Sequence, residues 1–327
     1  MSDTNVNYGT ILAAGDFVTG VRQDGGDGHP VVLTGNQPVE GGQPQALLYR
    51  GPLFPTASSG YAPLTPKFTG ETVTTSTFYG PNTPLFNPGI GQGNVRAVGS
   101  YKYAEAPEPK ADHGMMYEGP FDGTGTWTNL DVPEEIAGGA VSSTIPHSTM
   151  GDLVVGNFDL ADKPGSASAF IYDMRSRNFI KLSLGPLTTA YGIWQNGGDG
   201  SHAYTIVGGY KGEEGLNLGF VLDYDCASQA ISHVTTYSYD GKPGIVTHFE
   251  GISGIADGYS LAATTDAGAA YVIIKRSETG GFGKAHWVPV AYPGSTGVST
   301  GNTVIDNKLM GIMTTSAGVQ AYLATIG

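Results

Sequence analysis

Ser168-Ala169-Phe170-Ile171-Tyr172-Asp173 is the stretch that decides the fold, because it comes back. Leu218-Gly219-Phe220-Val221-Leu222-Asp223, Ala269-Ala270-Tyr271-Val272-Ile273-Ile274 and Val319-Gln320-Ala321-Tyr322-Leu323-Ala324 repeat its apolar character. The fifth residues of the four, Tyr172, Leu222, Ile273 and Leu323, stand 50, 51 and 50 residues apart. Earlier copies are Gln45-Ala46-Leu47-Leu48-Tyr49-Arg50 and His113-Gly114-Met115-Met116-Tyr117-Glu118. A fixed period of this length, built from strand-like pieces, is the signature of a β-propeller.

A second motif alternates with the first: a strand ending in Gly-Ile or an equivalent, a polar turn, then a strand ending in small residues. Its copies run through 88–101, 147–158, 191–210, 250–261 and 302–312, with the loosest at 8–20. A fourth strand follows in 126–133, 178–184 and 286–290. β-Branched and aromatic residues are enriched in these runs, and no window holds a helical period over three turns, so the elements are strands. Gly-Asp, Asp-Gly and Asn-Gly pairs mark the hairpins. The expected fold is an all-β propeller of six blades, each of four antiparallel strands, in a single domain over 1–327. Five blades is the alternative if the irregular first 85 residues do not form a full blade. The last unit lacks a fourth strand, which the stretch Thr4 to Tyr8 can supply, closing the ring and removing an exposed edge. The stretch 51–88, rich in Pro, Thr and Gly, reads as an irregular loop covering one face.

Composition narrows the function. Glycine is abundant at 51 residues and charged residues make up only 14%, against about a quarter in an average domain. Thirty Tyr and Phe residues give ample apolar material for a core, so the glycines read as turn residues rather than disorder. The formal net charge is −13 and the longest basic run is Lys275-Arg276. Nucleic acid and anionic membrane surfaces both call for a basic patch, so neither is an expected partner. Cys226 is the single cysteine, which excludes an internal disulfide and a cysteine-rich zinc site. It reads as an inert thiol with no basic partner nearby. No apolar run is long enough to span a membrane. The N-terminal residues carry no leader, which fits either a cytoplasmic protein or a mature extracellular one.

His113-Gly114-Met115-Met116-Tyr117 and Trp127-Thr128-Asn129-Leu130-Asp131-Val132-Pro133, taken with the strands Val154-Val155-Gly156-Asn157-Phe158 and Ile206-Val207-Gly208-Gly209-Tyr210, resemble the HAF-type extracellular repeat family. The likeness covers about half the chain, without the Asn that usually follows Gly-Ile in that repeat. It implies propeller-like repeats and an extracellular setting. It implies no reaction and no catalytic residue.

In a propeller, ligands bind where the ends of the first strands converge. The residues at those ends are Asn87, His147, Tyr191, His248, Glu250 and Asn302. His147, His248 and Glu250 suit general acid–base catalysis in a hydrolase or lyase, because imidazole titrates near neutral pH. The same three residues are the types that ligate a divalent metal, calcium or zinc. His248 and Glu250 are two apart, so a regular pleat puts them on one side. Asn87, Tyr191, Trp194 and Asn302 are the candidates for holding a small polar ligand or glycan, with Trp194 as a stacking platform. Trp127 and Trp287, on outer strands, read as packing between blades. Asp16 and Asp152 occupy turns, which disfavours a glycosidase trio with Glu250. The loops 24–29 and 196–202 space Asp, Gly and His as a cation loop does, but read as hairpin turns. There is no Gly-x-Ser-x-Gly elbow and no P-loop. Three functions stay open: a ligand-binding propeller, a propeller hydrolase or lyase, and a protein-interaction scaffold.

Overall fold

The computed structural model describes residues 5–25, 30–39, 41, 43–68, 72–104, 111–212 and 215–327. The protein is an all-β six-bladed propeller of four-stranded sheets, and in every blade but the last, neighbouring strands follow chain order. Strand β1 (Val6–Thr10) stands apart from the strands that follow it. The first blade holds β2 (Phe17–Gln23), β3 (Val31–Pro38), β4 (Pro44–Gly51) and β5 (Tyr61–Pro63). The second holds β6 (Val73–Asn82), β7 (Asn94–Tyr103), β8 (His113–Pro120) and β9 (Thr126–Asn129). The third holds β10 (Val141–Met150), β11 (Leu153–Leu160), β12 (Lys163–Asp173) and β13 (Asn178–Leu182). The fourth holds β14 (Thr188–Gln195), β15 (Ala203–Lys211), β16 (Asn217–Asp225) and β17 (Ala230–Tyr237). The fifth holds β18 (Thr247–Ile255), β19 (Gly258–Thr265), β20 (Gly268–Arg276) and β21 (Phe282–Val290). The last holds β22 (Thr303–Ile305), β23 (Lys308–Thr315), β24 (Gly318–Ile326) and, as its fourth strand, β1. Strand β1 pairs antiparallel with β24 from Val6↔Ile326 to Thr10↔Tyr322, the expected closure by the N-terminal strand.

The recurring apolar stretch is the third strand of every blade. These strands are near-continuous runs because neighbouring sheets cover both faces, so the usual alternation with polar residues is lost. Ala46, Leu47, Leu48 and Tyr49 are all buried, as are Ala169, Phe170 and Ile171. Each core therefore lies between blades. One joins Val32, Ala46 and Leu48 of the first blade to Phe78, Val95, Tyr101 and Tyr117 of the second. Another joins Val207 and Val221 of the fourth blade to Phe249, Leu261 and Val272 of the fifth. Trp127 and Trp287 pack into these two clusters, over Phe78 and Phe249 at ring separations of 5.9 and 5.7 Å. Full burial of such an aromatic is worth about 2–3 kcal/mol.

By its contacts the chain forms two compact units. One comprises Met1–Val18, Leu184–Pro186 and Ala190–Gly327, and the other Thr19–Ser183 and Leu187–Thr189. The first unit contains the fourth, fifth and last blades, and the second unit the other three, apart from the starting residues of β2 and β14.

Two sequence readings need correction. The stretch 51–88 is not one loop, since it contains β5 and the ten-residue β6, the first strand of the second blade. Proline misled here: Pro81 sits in a sheet-edge strand, where a missing N–H costs no ladder bond. Pro88–Ile90, read as the end of a strand, is a 3-10 turn capped by Asn87. Residues 8–20 are likewise not a hairpin, because Tyr8–Thr10 closes the last blade while Phe17–Gly20 opens the first.

Candidate ligand site on the first strands

Three of the first strands, β6, β10 and β18, share a local defect. The pairing of β6 with β7 skips a residue between Phe78 and Gly80, leaving Tyr79 as the extra residue of a bulge. The pairing of β10 with β11 skips between Pro146 and Ser148, at His147. That of β18 with β19 skips between Phe249 and Gly251, at Glu250. A bulge re-aims the side chain of its extra residue. The next residue is small for a packing reason. A Cβ on Gly80 would stand 2.6 Å from the His147 carbonyl oxygen and 2.7 Å from Ser148 Cα. A Cβ on Gly251 would stand 2.8 Å from Thr303 Cα. Neighbouring first strands thus touch backbone to backbone, and the residue before each contact is left to vary. Within one unit these residues are Thr19, Tyr79 and His147; within the other they are Tyr191, Glu250 and Asn302. Sequence reading found four of the six. It missed Thr19 and Tyr79, although Thr19-Gly20 and Tyr79-Gly80 copy Tyr191-Gly192 and Glu250-Gly251.

Glu250 is half-buried on its bulge and takes no hydrogen bond or ion pair among the described residues. Burial without a compensating charge raises its pKa to about 8. His248 lies flat over Gly209 of β15, where a Cβ would strike the imidazole. Its ring faces that of Tyr191 at 6.0 Å and 28°. Burial lowers the His248 pKa, and Asp266 opposes that shift only in part. The expectation that His248 and Glu250 share one side assumed a regular pleat, and the bulge interrupts that alternation. Trp194 packs its indole over Gly254, whose Cβ would stand 2.5 Å from Nε1. Asn302 donates from Nδ2 to the Val18 carbonyl at 2.7 Å, tying the last blade to the start of β2.

In the second unit, the His147 ring lies 5.0 Å from that of Tyr79. Desolvation by the surrounding protein depresses its pKa to about 3, so it is neutral at physiological pH. Asn87 spends both ends of its amide on structure: Oδ1 accepts from the Gly89 N–H at 3.1 Å and Nδ2 donates to the Gly151 carbonyl at 2.9 Å. His147 thus belongs to one unit and His248 and Glu250 to the other. Among the described residues, no group of three or more His, Cys, Asp or Glu side chains is arranged to hold a metal ion.

The remaining sequence candidates have local partners. Asp16 accepts from the Ala13 N–H at 3.2 Å within its turn, and Asp152 pairs with Arg175 at 2.5 Å on the surface. In the loop 196–202, Gly197, Gly198 and Gly200 adopt φ values of 82°, 82° and 77°, which glycine alone takes without strain. The Asn196 N–H there donates to the Ala203 carbonyl at 2.8 Å, closing a hairpin turn, and its side chain binds Thr205 Oγ1 and the Tyr259 hydroxyl of the next blade. Of the matching loop 24–29, residues 26–29 lie outside the described residues. Cys226 corrects the sequence reading, because His202 Nδ1 stands 3.5 Å from its Sγ. The two are 24 residues apart, and only the pairing of β15 with β16 brings them together.

No family model matches the chain, and no curated protein matches it in sequence. Solved structures match at the level of fold. The post-proline cleaving enzyme of Rickettsia typhi is 11% identical with a TM-score of 0.45, covering 94% of this chain, which spans only 43% of that enzyme. The Dos1 propeller is 11% identical with a TM-score of 0.45, covering 96% of this chain and 93% of its own. The β-propeller domain of the trilobed protease from Pyrococcus furiosus is 9% identical with a TM-score of 0.42, covering 96% and 94%.

Proposed function

We propose that the protein binds a small, neutral, hydroxyl-bearing ligand, a sugar or polyol, through Glu250 and its neighbours on the first strands. The observation that carries this reading is the unpartnered Glu250 carboxyl, protonated up to about pH 8. A neutral carboxylic acid offers one donor and one acceptor side by side, the complement of a hydroxyl pair. The adjacent His248 is held neutral by burial, which keeps the surroundings uncharged and favours an uncharged ligand. Tyr191 supplies an aromatic face beside it. The likeness to HAF-type repeats, on His113–Tyr117 and Trp127–Pro133, belongs to the same proposal.

The test is a neutral mono- and disaccharide panel followed by calorimetry on the hits. Glu250→Gln keeps a donor and an acceptor and is expected to retain binding. Glu250→Ala is expected to weaken it about tenfold, the loss of roughly one to two neutral hydrogen bonds. Binding should also fade above about pH 8 as the carboxyl ionises. A Glu250→Ala variant that binds like the wild type would overturn the proposal.

One observation favours a catalytic reading as well. A carboxyl that holds its proton near neutral pH meets the requirement for a general acid. Aryl glycoside hydrolysis that disappears in Glu250→Gln would select this reading over binding alone, because Gln cannot deliver a proton.

A further inference from the structure

A second site stands out in the second unit, away from the first-strand bulges. A cleft of about 360 Å³ lies where β8 begins, beside the turn after β9 and the start of β10. Asp112, His113, Asp131 and Glu134 line it together with the apolar Val132 and Val141. The volume is that of a small organic molecule.

The histidine is held by an oriented carboxylate. Asp131 Oδ2 lies 2.8 Å from His113 Nδ1, and it also accepts from Asn129 Nδ2 at 3.0 Å. Its other oxygen accepts the Gly114 N–H at 2.8 Å. A carboxylate oxygen only accepts, so Nδ1 carries a proton and the ring is turned toward Asp131. The rings of Tyr101 and Tyr103 pack at 5.5 and 4.9 Å and fix its orientation. Asp112 is offset by Lys102 Nζ at 3.3 Å. Glu134 is exposed and forms no ion pair among the described residues. Among the described residues, no Lys or Arg lines the cleft. The wall therefore combines an imidazole oriented by Asp131, the Glu134 carboxylate, which forms no ion pair among the described residues, and an apolar floor.

The geometry points to this cleft as a binding site for a small organic ammonium ion, with its charge toward Glu134 and Asp131, and its hydrocarbon on Val132 and Val141. His113, oriented by Asp131, forms the wall beside these carboxylates. The site shares no residue with the Glu250 site, so either can fail without the other.

Phenethylammonium chloride is the probe and 2-phenylethanol its neutral counterpart, titrated into the full-length protein by calorimetry and ligand-observed NMR. The ammonium is expected to bind saturably and the alcohol about fivefold more weakly. Glu134→Gln should weaken the ammonium about fivefold, whereas Glu135→Gln, on the same one-turn helix (Glu134–Ala137) but outside the cleft lining, should not. Both positions are exposed, so neither variant threatens the fold. Equal binding of ammonium and alcohol, equal effects of the two Glu variants, or no saturation at millimolar probe would each overturn the assignment.

Discussion

Glu250 and His147 occupy the same place in their blades, and burial acts on them with opposite signs. For Glu250 the folded state holds a proton that the unfolded chain releases near pH 4.5. Its contribution is present below that value and is lost as pH rises toward about 8. For His147 the unfolded chain takes up a proton near pH 6.5 that the folded ring refuses until about 3. Stability is lost as pH falls through that window. Glu250→Gln should therefore gain on the wild type by on the order of 2 kcal/mol between about pH 5 and about pH 9, the full shift being discounted for partial exposure. His147→Gln should flatten the acid side instead. Chemical denaturation across pH reads both, and parallel curves for wild type and variants would refute the assignment. Cys226 makes a separate case at this scale. With His202 Nδ1 at 3.5 Å, its thiolate has a charge partner, so iodoacetamide should label it faster than it labels a His202→Ala variant, by a few-fold at neutral pH. Equal rates would return Cys226 to the inert thiol that its sequence context suggests.

Strands and their pairings carry the next two predictions. Gly251 is held to glycine by the strand beside it, since its Cβ would stand 2.8 Å from Thr303 Cα, and backbone cannot yield as a side chain does. Gly251→Ala should cost about 2–3 kcal/mol. Gly297→Ala, with open space around it, should cost almost nothing, and a comparable melting shift in both would contradict the close approach. In the fourth and fifth blades, Arg276 binds both oxygens of Asp223 at 2.6 Å and lies 4.3 Å from the centre of the Phe282 ring. It also donates to the Tyr259 hydroxyl at 2.6 Å, and His233 Nδ1 meets Asp223 at 2.9 Å. Burial would raise the Asp223 pKa, but bonds from Arg276, Thr205 and His233 outweigh it and hold the carboxyl below its ordinary range. Asp223→Ala leaves the guanidinium half-buried without its counter-charge and should cost about 2–3 kcal/mol, less than a fully buried pair because both groups retain some exposure. Thermal melts of Asp223→Ala and Asp223→Asn test this. The Asn variant should fall between Ala and wild type, because it keeps an acceptor and loses the charge.

At the scale of the whole chain, what could be read from the residues follows from burial. Third strands such as Phe170–Tyr172 are covered on both faces, which writes them as unbroken apolar runs with a visible period. First strands such as β6 and β10 alternate, carry a bulge and tolerate proline, so β6 is hidden among the prolines of 51–88, and Tyr79 with it. Glu250 and His147 were legible because titratable groups stand out at a repeat-equivalent position. The pairs His113–Asp131 and His202–Cys226 were not recognised as sites, because their partners are 18 and 24 residues apart and only strand pairing joins them. Closure was legible from counting strands, and it makes the last prediction. The edge of β24 is covered by β1 over five residue pairs. The pairing extends to Ile11, whose N–H donates to the Ala321 carbonyl at 3.1 Å. Tyr8 adds a T-shaped contact with Tyr292 at 5.4 Å and accepts the Ala291 N–H at 3.2 Å. Removing residues through Thr10 would expose the N–H and C=O groups along an apolar strand, a template for pairing with other chains. The truncated protein should melt well below the full chain and associate as its concentration rises, read by calorimetry and light scattering. A synthetic Asn5–Ile11 peptide should restore both properties, because it can re-form the same antiparallel register. A truncated protein that stays monomeric with an unchanged melting temperature would mean that β1 covers an edge the fold does not need covered.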